Sequence, residues 1–167
     1  MRVAILTVSD RSARGEREDL SGPALRALVE ARGWQVTQTA VVADDREAVR
    51  AMLCRWCDED LAEVVLTTGG TGFAPRDVTP EATQQAIERE APGLAEAMRA
   101  GSLAVTPHGM LSRGVAGIRR RSLIINLPGS PRAACESLQT ILPVLEHAVD
   151  LLREHPQAEG GHRRMSA

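Results

Sequence analysis

A glycine loop and three short polar turns carry the residue types that phosphate chemistry needs. Thr67 to Ala82 reads TTGGTGFAPRDVTPEA. Gly69, Gly70 and Gly72, around Thr71, let a backbone approach a ligand closely and turn several N–H groups toward one anion. Arg76 offers a planar fork for phosphate, and Asp77 a hard oxygen ligand for Mg²⁺. The same stretch also reads as a plain connecting loop, with Arg76 and Asp77 solvated or paired to helix ends. Asp44 and Asp45 stand at a strand-to-helix junction, where each can cap the helix or join a shared metal or substrate site. Pro128-Gly129-Ser130-Pro131 has the same two readings, a helix cap or an anion site at a helix N-terminus. The glycine loop is not a dinucleotide fingerprint, because it lacks the third glycine and the next helix begins well beyond it.

These turns need a scaffold, and the pattern around them alternates strand and helix. Arg2 to Ser9 is rich in β-branched residues and apolar on both faces, as a central strand requires. A polar loop follows from Asp10 to Asp19. A helix then opens at Ser21-Gly22-Pro23 and stops at Gly33. Trp34 to Val42 reads as a second strand, and Leu61 to Thr68 as a third that runs directly into the glycine loop. Between them Val49, Met52, Leu53 and Trp56 share one face of a helix. Thr79-Pro80 opens a helix predicted to reach about Glu90, and a shorter one is predicted over Leu94 to Ala100. Val115 to Ile118 and Leu123 to Leu127 flank three arginines as a hairpin. Ser130-Pro131 opens a last helix, interrupted at Pro143 and fading after His155, and Pro156 to Ala167 reads as a disordered polar tail. The expectation is one α/β domain over residues 1–155, a mainly parallel sheet with helices on both faces. Ligands of such folds bind beyond the carboxyl ends of the strands. That rule selects Thr7–Arg11, Val42–Asp45, Thr67–Asp77 and Asn126–Ser130.

Composition removes several function classes. The 167 residues are 43% hydrophobic and 25% charged, a globular composition. A net charge of −2 supplies no basic field for nucleic acid, and one Phe, two Trp and no Tyr supply no stacking platform. All 20 basic residues are arginine, so Schiff bases and the phosphate-loop lysine are excluded. Phosphate must then be held by backbone N–H groups, hydroxyls, arginine or a metal. No apolar run approaches the ~18 residues of a membrane span, and Val3 to Val8 is too short for a signal peptide. Three cysteines form no disulfide framework, so a cytoplasmic protein is expected. Cys54-Arg55-Trp56-Cys57 has C-x-x-C spacing, but it falls in mid-helix and lacks the second pair that zinc needs. His147, His155 and His162 have no metal spacing and read as solvated surface. His108 lies in a loop near Ser112 and Arg113.

Together ILTVSDRSARGEREDLSGPAL, TTGGTGFAPRDVTPEAT and MLSRGVAGIRRRSLIINLPGSP resemble the MogA/MoaB-type family of molybdenum-cofactor biosynthesis, the molybdopterin adenylyltransferases, over about residues 2 to 155. The resemblance implies a three-layer α/β/α sandwich with a Rossmann-like sheet, usually assembled as a homotrimer (or hexamer). It implies adenylyl transfer from Mg-ATP to molybdopterin, with release of pyrophosphate and passage of the product to a molybdate-insertion enzyme. ATP is then a substrate, Mg²⁺ the metal, and no tightly bound organic cofactor is expected. Carried over by motif position, Asp77 is the principal Mg²⁺ and catalytic carboxylate, and Asp44 its partner, with Asp45 the alternative. Gly69, Gly70, Thr71 and Gly72 surround the phosphates, next to Arg76. Ser9, Asp10, Pro128, Gly129 and Ser130 help hold nucleotide, and Ser112 and Arg113 contact the pterin phosphate. The chain resembles the shorter branch of the family, some members of which bind without catalysing, so a molybdopterin carrier is the first alternative. A nucleotide hydrolase is the second.

Overall fold

A computed structural model of the chain describes residues 1–156. Its first strand, β1 (Arg2–Val8), is buried from Val3 onward, as its two-sided apolar pattern requires. It pairs in parallel with β2 (Gln35–Val42) on one side and β3 (Val64–Thr68) on the other. β6 (Ser122–Leu127) extends the parallel run beside β3. β5 (Ala116–Arg119) and β4 (Arg89–Glu90) then complete the sheet antiparallel. The strand order is β2-β1-β3-β6-β5-β4. The strands thus fan out to either side of β1, and the carboxyl ends of four parallel strands lie along one edge.

Alternation along β1 divides the core. Val3 and Ile5 pack with Leu25 and Val29 of α2 (Ser21–Ala31), Met98 of α5 (Pro92–Leu103), and Leu138, Ile141 and Leu145 of α6 (Pro131–Leu152). Ala4, Leu6 and Val8 face the other way, against Val49, Leu53 and Trp56 of α3 (Arg46–Asp58) and Ala82 and Ala86 of α4 (Thr79–Ala86). Two apolar layers around one sheet make the α/β/α sandwich. Each fully buried Leu or Ile contributes roughly 1.5–3 kcal/mol to it.

Five elements differ from the sequence reading, the simplest being β3, which begins at Val64 rather than Leu61. The polar loop after β1 begins with a single helical turn, α1 (Asp10–Ala13), because the Ser9 side chain accepts a hydrogen bond from the Ser12 amide and caps it. α4 stops at Ala86 rather than near Glu90. Ile87 turns extended there, and Arg89–Glu90 pair with β5, so sheet pairing overrides helix propensity. α5 runs on to Leu103, followed by a 3₁₀ turn over Pro107–Leu111. α6 is continuous through Pro143. A proline costs one backbone hydrogen bond and crowds the carbonyl four residues back, but buried Ile141, Leu142 and Leu145 hold both halves against the sheet. Of the expected tail over Pro156–Ala167, residues 157–167 lie outside the described residues.

Candidate active site

The carboxyl ends of β1, β2, β3 and β6 meet at one cleft of about 770 Å³. β1 delivers Ser9 and Asp10, and β2 delivers Asp44. β3 delivers Gly69, Gly70, Arg76 and Asp77, and β6 delivers Gly129 and Ser130. The two adjacent acidic residues after β2 have separate tasks. Asp45 caps α3, accepting from the Ala48 amide at 2.7 Å. Asp44 turns into the cleft, where its Oδ2 accepts from the Asp10 amide at 2.8 Å and its own amide donates to Asp10 Oδ1 at 3.0 Å. This reciprocal pair locks the ends of β1 and β2 together.

The glycine loop lies against that pair. Gly69 (φ +99°) and Gly70 (φ +61°) occupy the left-handed region. A Cβ on Gly69 would meet the Val8 carbonyl oxygen at 2.2 Å. One on Gly70 would meet Thr79 Oγ1 at 2.4 Å and Asp44 Oδ1 at 3.1 Å. Only glycine therefore fits where the loop crosses β1 and touches the Asp44 carboxylate. Thr79, at the start of α4, donates its hydroxyl to the Gly69 carbonyl at 2.9 Å and its amide to the Gly70 carbonyl. Asp77 Oδ2 accepts from the Ala74 amide at 3.0 Å and closes the loop on itself. Gly129 abuts Gly69, and its carbonyl accepts from the Ser21 hydroxyl. Ser130 occupies the N-cap position of α6, but its side chain makes no capping hydrogen bond and lines the cleft.

Acids form the floor of this cleft and arginines its rim. Burial raises the Asp44 carboxyl above the ordinary aspartate range. The charges of Asp10 and Asp77 act in the same direction, against the Asp10 amide hydrogen bond and the Arg76 guanidinium. Arg11, Arg17 and Arg76 line the cleft, and their guanidinium groups make no hydrogen bond or ion pair among the described residues. Arg14 is tied to Glu16 at 2.8 Å. Among the described residues no group of three or more His, Cys, Asp or Glu side chains could hold a metal. Two carboxylates, Asp44 and Asp77, are the number Mg²⁺ uses when phosphate oxygens and water complete its shell. The donor set therefore fits a metal carried in with a polyphosphate rather than a fully protein-caged ion.

Five of the expected site residues fall outside the cleft lining. Thr71 is buried, and its carbonyl accepts from the Arg113 amide. Gly72 and Pro128 present their carbonyls to Arg113 and to the Thr68 hydroxyl. Ser112 lies beside a small depression next to α5. The Arg113 guanidinium sits behind the glycine loop, bonded to three protein acceptors. His108 is in the 3₁₀ turn, with Nδ1 3.1 Å from Thr106 Oγ1. Burial pushes the Cys57 thiol up to about 12, the reverse of what a redox nucleophile needs. Sequence reasoning reached Arg11 only as the end of the Thr7–Arg11 segment, and missed Arg17 and Asp19. Asp19 accepts from the Thr7 hydroxyl and from the Ser21 and Gly22 amides, so it fixes the start of α2 at the cleft wall. An Asp two residues before Ser-Gly-Pro is a capping signal that pointed to it.

A mainly parallel α/β sheet with a cleft of glycines, acids and arginines over its carboxyl edge defines a class: an α/β protein with a polar candidate ligand cleft at the carboxyl ends of its strands. Residues 4–147 match the family model described as a probable molybdopterin binding domain. The chain belongs to that family of molybdenum-cofactor biosynthesis proteins. It is 42% identical over 154 residues to a molybdopterin adenylyltransferase of Helicobacter pylori, covering 91% of this chain and 88% of that one. It is 41% identical over 143 residues to the molybdopterin adenylyltransferase of Escherichia coli, covering 84% and 73%. The solved structure of the molybdopterin biosynthesis enzyme MoaB from Thermus thermophilus superposes with a TM-score of 0.87 at 50% identity, over 92% of this chain and 96% of that one.

Proposed function

We propose that this chain is a molybdopterin adenylyltransferase. A terminal phosphate oxygen of molybdopterin attacks the α-phosphorus of Mg-ATP, and the bond from that phosphorus to the bridging oxygen of the β-phosphate breaks. Adenylyl-molybdopterin and pyrophosphate result. The observation that carries this reading is the placement of Asp44 and Asp77 against one glycine loop, beside three arginines that make no hydrogen bond or ion pair among the described residues, in a chain of this family. Such chemistry is positioning and charge neutralisation, and it needs neither a lysine nor a protein nucleophile. Asp77 and Asp44 would hold the Mg²⁺ of Mg-ATP, which would neutralise charge on the phosphates. The Gly69–Gly70 backbone, Ser9 and the Gly129–Ser130 turn wall the nucleotide. Arg76, Arg11 and Arg17 take the charge of the polyphosphate arm and the departing pyrophosphate.

The same proposal covers residues 1–155 as one molybdopterin-binding domain, assembled as a homotrimer (or hexamer) in the cytoplasm and passing its product to a molybdate-insertion enzyme. Pyrophosphate release from Mg-ATP, with and without molybdopterin, tests the activity. Asp77→Asn removes charge at constant size, so pterin-dependent release is expected to fall by about 10²–10³-fold with the unfolding midpoint unchanged. Turnover within a few-fold of wild type sinks the assignment of Asp77. Pterin binding without any release points to a carrier, and product formed without pterin to a hydrolase.

A further inference from the structure

Arg113 is the best-engaged arginine near the cleft, yet it does not face into it. It precedes β5, and its backbone amide donates to the Thr71 carbonyl at 3.0 Å. Its Nε donates to the Gly72 carbonyl at 2.7 Å and its Nη2 to the Asp77 carbonyl at 2.5 Å. Its Nη1 bonds Glu81 Oε1 in the first turn of α4. One planar fork thus holds the beginning of the Gly72–Asp77 segment, its end, and the helix that follows. The segment is already closed on itself, since the Asp77 amide donates to the Ala74 carbonyl and the Ala74 amide to Asp77 Oδ2. Arg113 fastens this closed turn to α4. Arg113 lines a shallow depression with Phe73, Val78 and Glu81; Asp77 lines both this depression and the cleft, whereas Asp44 and Ser130 line the cleft alone.

We propose that Arg113 is a positioning residue: its guanidinium fixes the Gly72–Asp77 turn, and through that turn sets where the Asp77 carboxylate stands at the cleft floor. The inference rests on the adenylyltransferase reading for its kinetic consequence, though not for its structural one. It departs from a role as a direct phosphate contact, because three protein acceptors already take the fork. Lysine carries the same charge but cannot span three acceptors in one plane. A misplacement of about 1 Å at a catalytic group is enough to cost on the order of 10²-fold in rate.

The test is a double-mutant cycle with Asp77→Asn, read together with amide hydrogen exchange. Arg113→Met and Arg113→Lys are both expected to lower kcat for pyrophosphate release by about 10²-fold, with KM for molybdopterin little changed. In the Asp77→Asn background either substitution is expected to cost less than about 3-fold, since the group it positions is gone. Amide exchange across residues 70–77 is expected to quicken in both variants while β1 and β6 keep their protection. A loss that multiplies with that of Asp77→Asn overturns the proposal. So does rescue by lysine, or a raised KM for molybdopterin at constant kcat, each of which marks a direct phosphate contact. Should Arg113→Met fail to fold, Glu81→Gln loosens the outer anchor alone and is expected to act in the same direction, more weakly. If wild type releases no pyrophosphate, the functional reading has failed, and exchange still decides on the clamp: unchanged protection over 70–77 overturns it.

Discussion

Asp44 and Asp45 are adjacent and chemically identical, yet one caps a helix and the other floors the cleft. The difference is backbone direction. Asp45 has extended φ and ψ at the N-cap of α3, which turns its side chain onto the helix amides and leaves Asp44 facing the end of β1. No spacing rule separates two neighbouring carboxylates, so sequence left both open. The cost of holding Asp44 there can be measured. Its folded pKa is raised above its unfolded value, so the native state binds more protons between the two and loses stability as pH rises through that window. Asp44→Asn is therefore expected to raise the unfolding temperature of the ligand-free protein at pH 7. The gain should shrink as pH falls toward about 4, near the unfolded aspartate value. Thermal unfolding from pH 4 to pH 8 checks this, and a variant less stable at every pH contradicts it. Adenylyl transfer by the same variant is expected to be lost, a trade of stability for function.

At the scale of elements, the site depends on four strand ends, and these were legible because alternating strands and helices place ligands at the carboxyl edge. Thr7–Arg11, Val42–Asp45, Thr67–Asp77 and Asn126–Ser130 all contribute to the cleft or its immediate support. Tertiary pairing set what was not legible. α4 gives way at Ile87 because a two-residue strand finds β5, and α6 passes Pro143 because its buried face outweighs one missing hydrogen bond. Behind the glycine loop, Arg113 reaches acceptors 32 to 41 residues away in sequence, a distance no local pattern encodes. The loop itself is the most demanding element. Gly69→Ala puts an L side chain at φ +99° with its Cβ against the Val8 carbonyl. It is expected to cost at least roughly 1–3 kcal/mol from backbone strain alone. Urea unfolding reads this, and a change below about 0.5 kcal/mol contradicts the geometry.

Across the whole molecule, arginines are used differently at the two ends of the sheet. At the cleft end Arg11, Arg17 and Arg76 make no hydrogen bond or ion pair among the described residues, beside the ion-paired Arg14 and Arg113, whereas at the opposite ends of the strands arginines are spent on ion pairs. Arg2 and Arg153 share Asp60 and Glu63, joining the start of β1 to the end of α6. The Arg153 hydrogen bond holds the Asp60 carboxyl below the ordinary range despite slight desolvation, with Arg2 assisting. A depressed folded pKa gives stability that is present above the unfolded value and lost as pH falls through the folded one. The unfolding temperature is therefore expected to drop below about pH 4, and Asp60→Asn to flatten part of that drop. An identical acid response in the variant contradicts this. Exposure and salt keep the effect small. The cleft end carries the central claim, and label transfer tests it most directly. With molybdopterin present, label from ATP marked at the α-phosphate is expected to move onto the pterin, while label at the γ-phosphate appears in pyrophosphate. α-label remaining in AMP or ATP, with the pterin unlabelled, contradicts adenylyl transfer at this site.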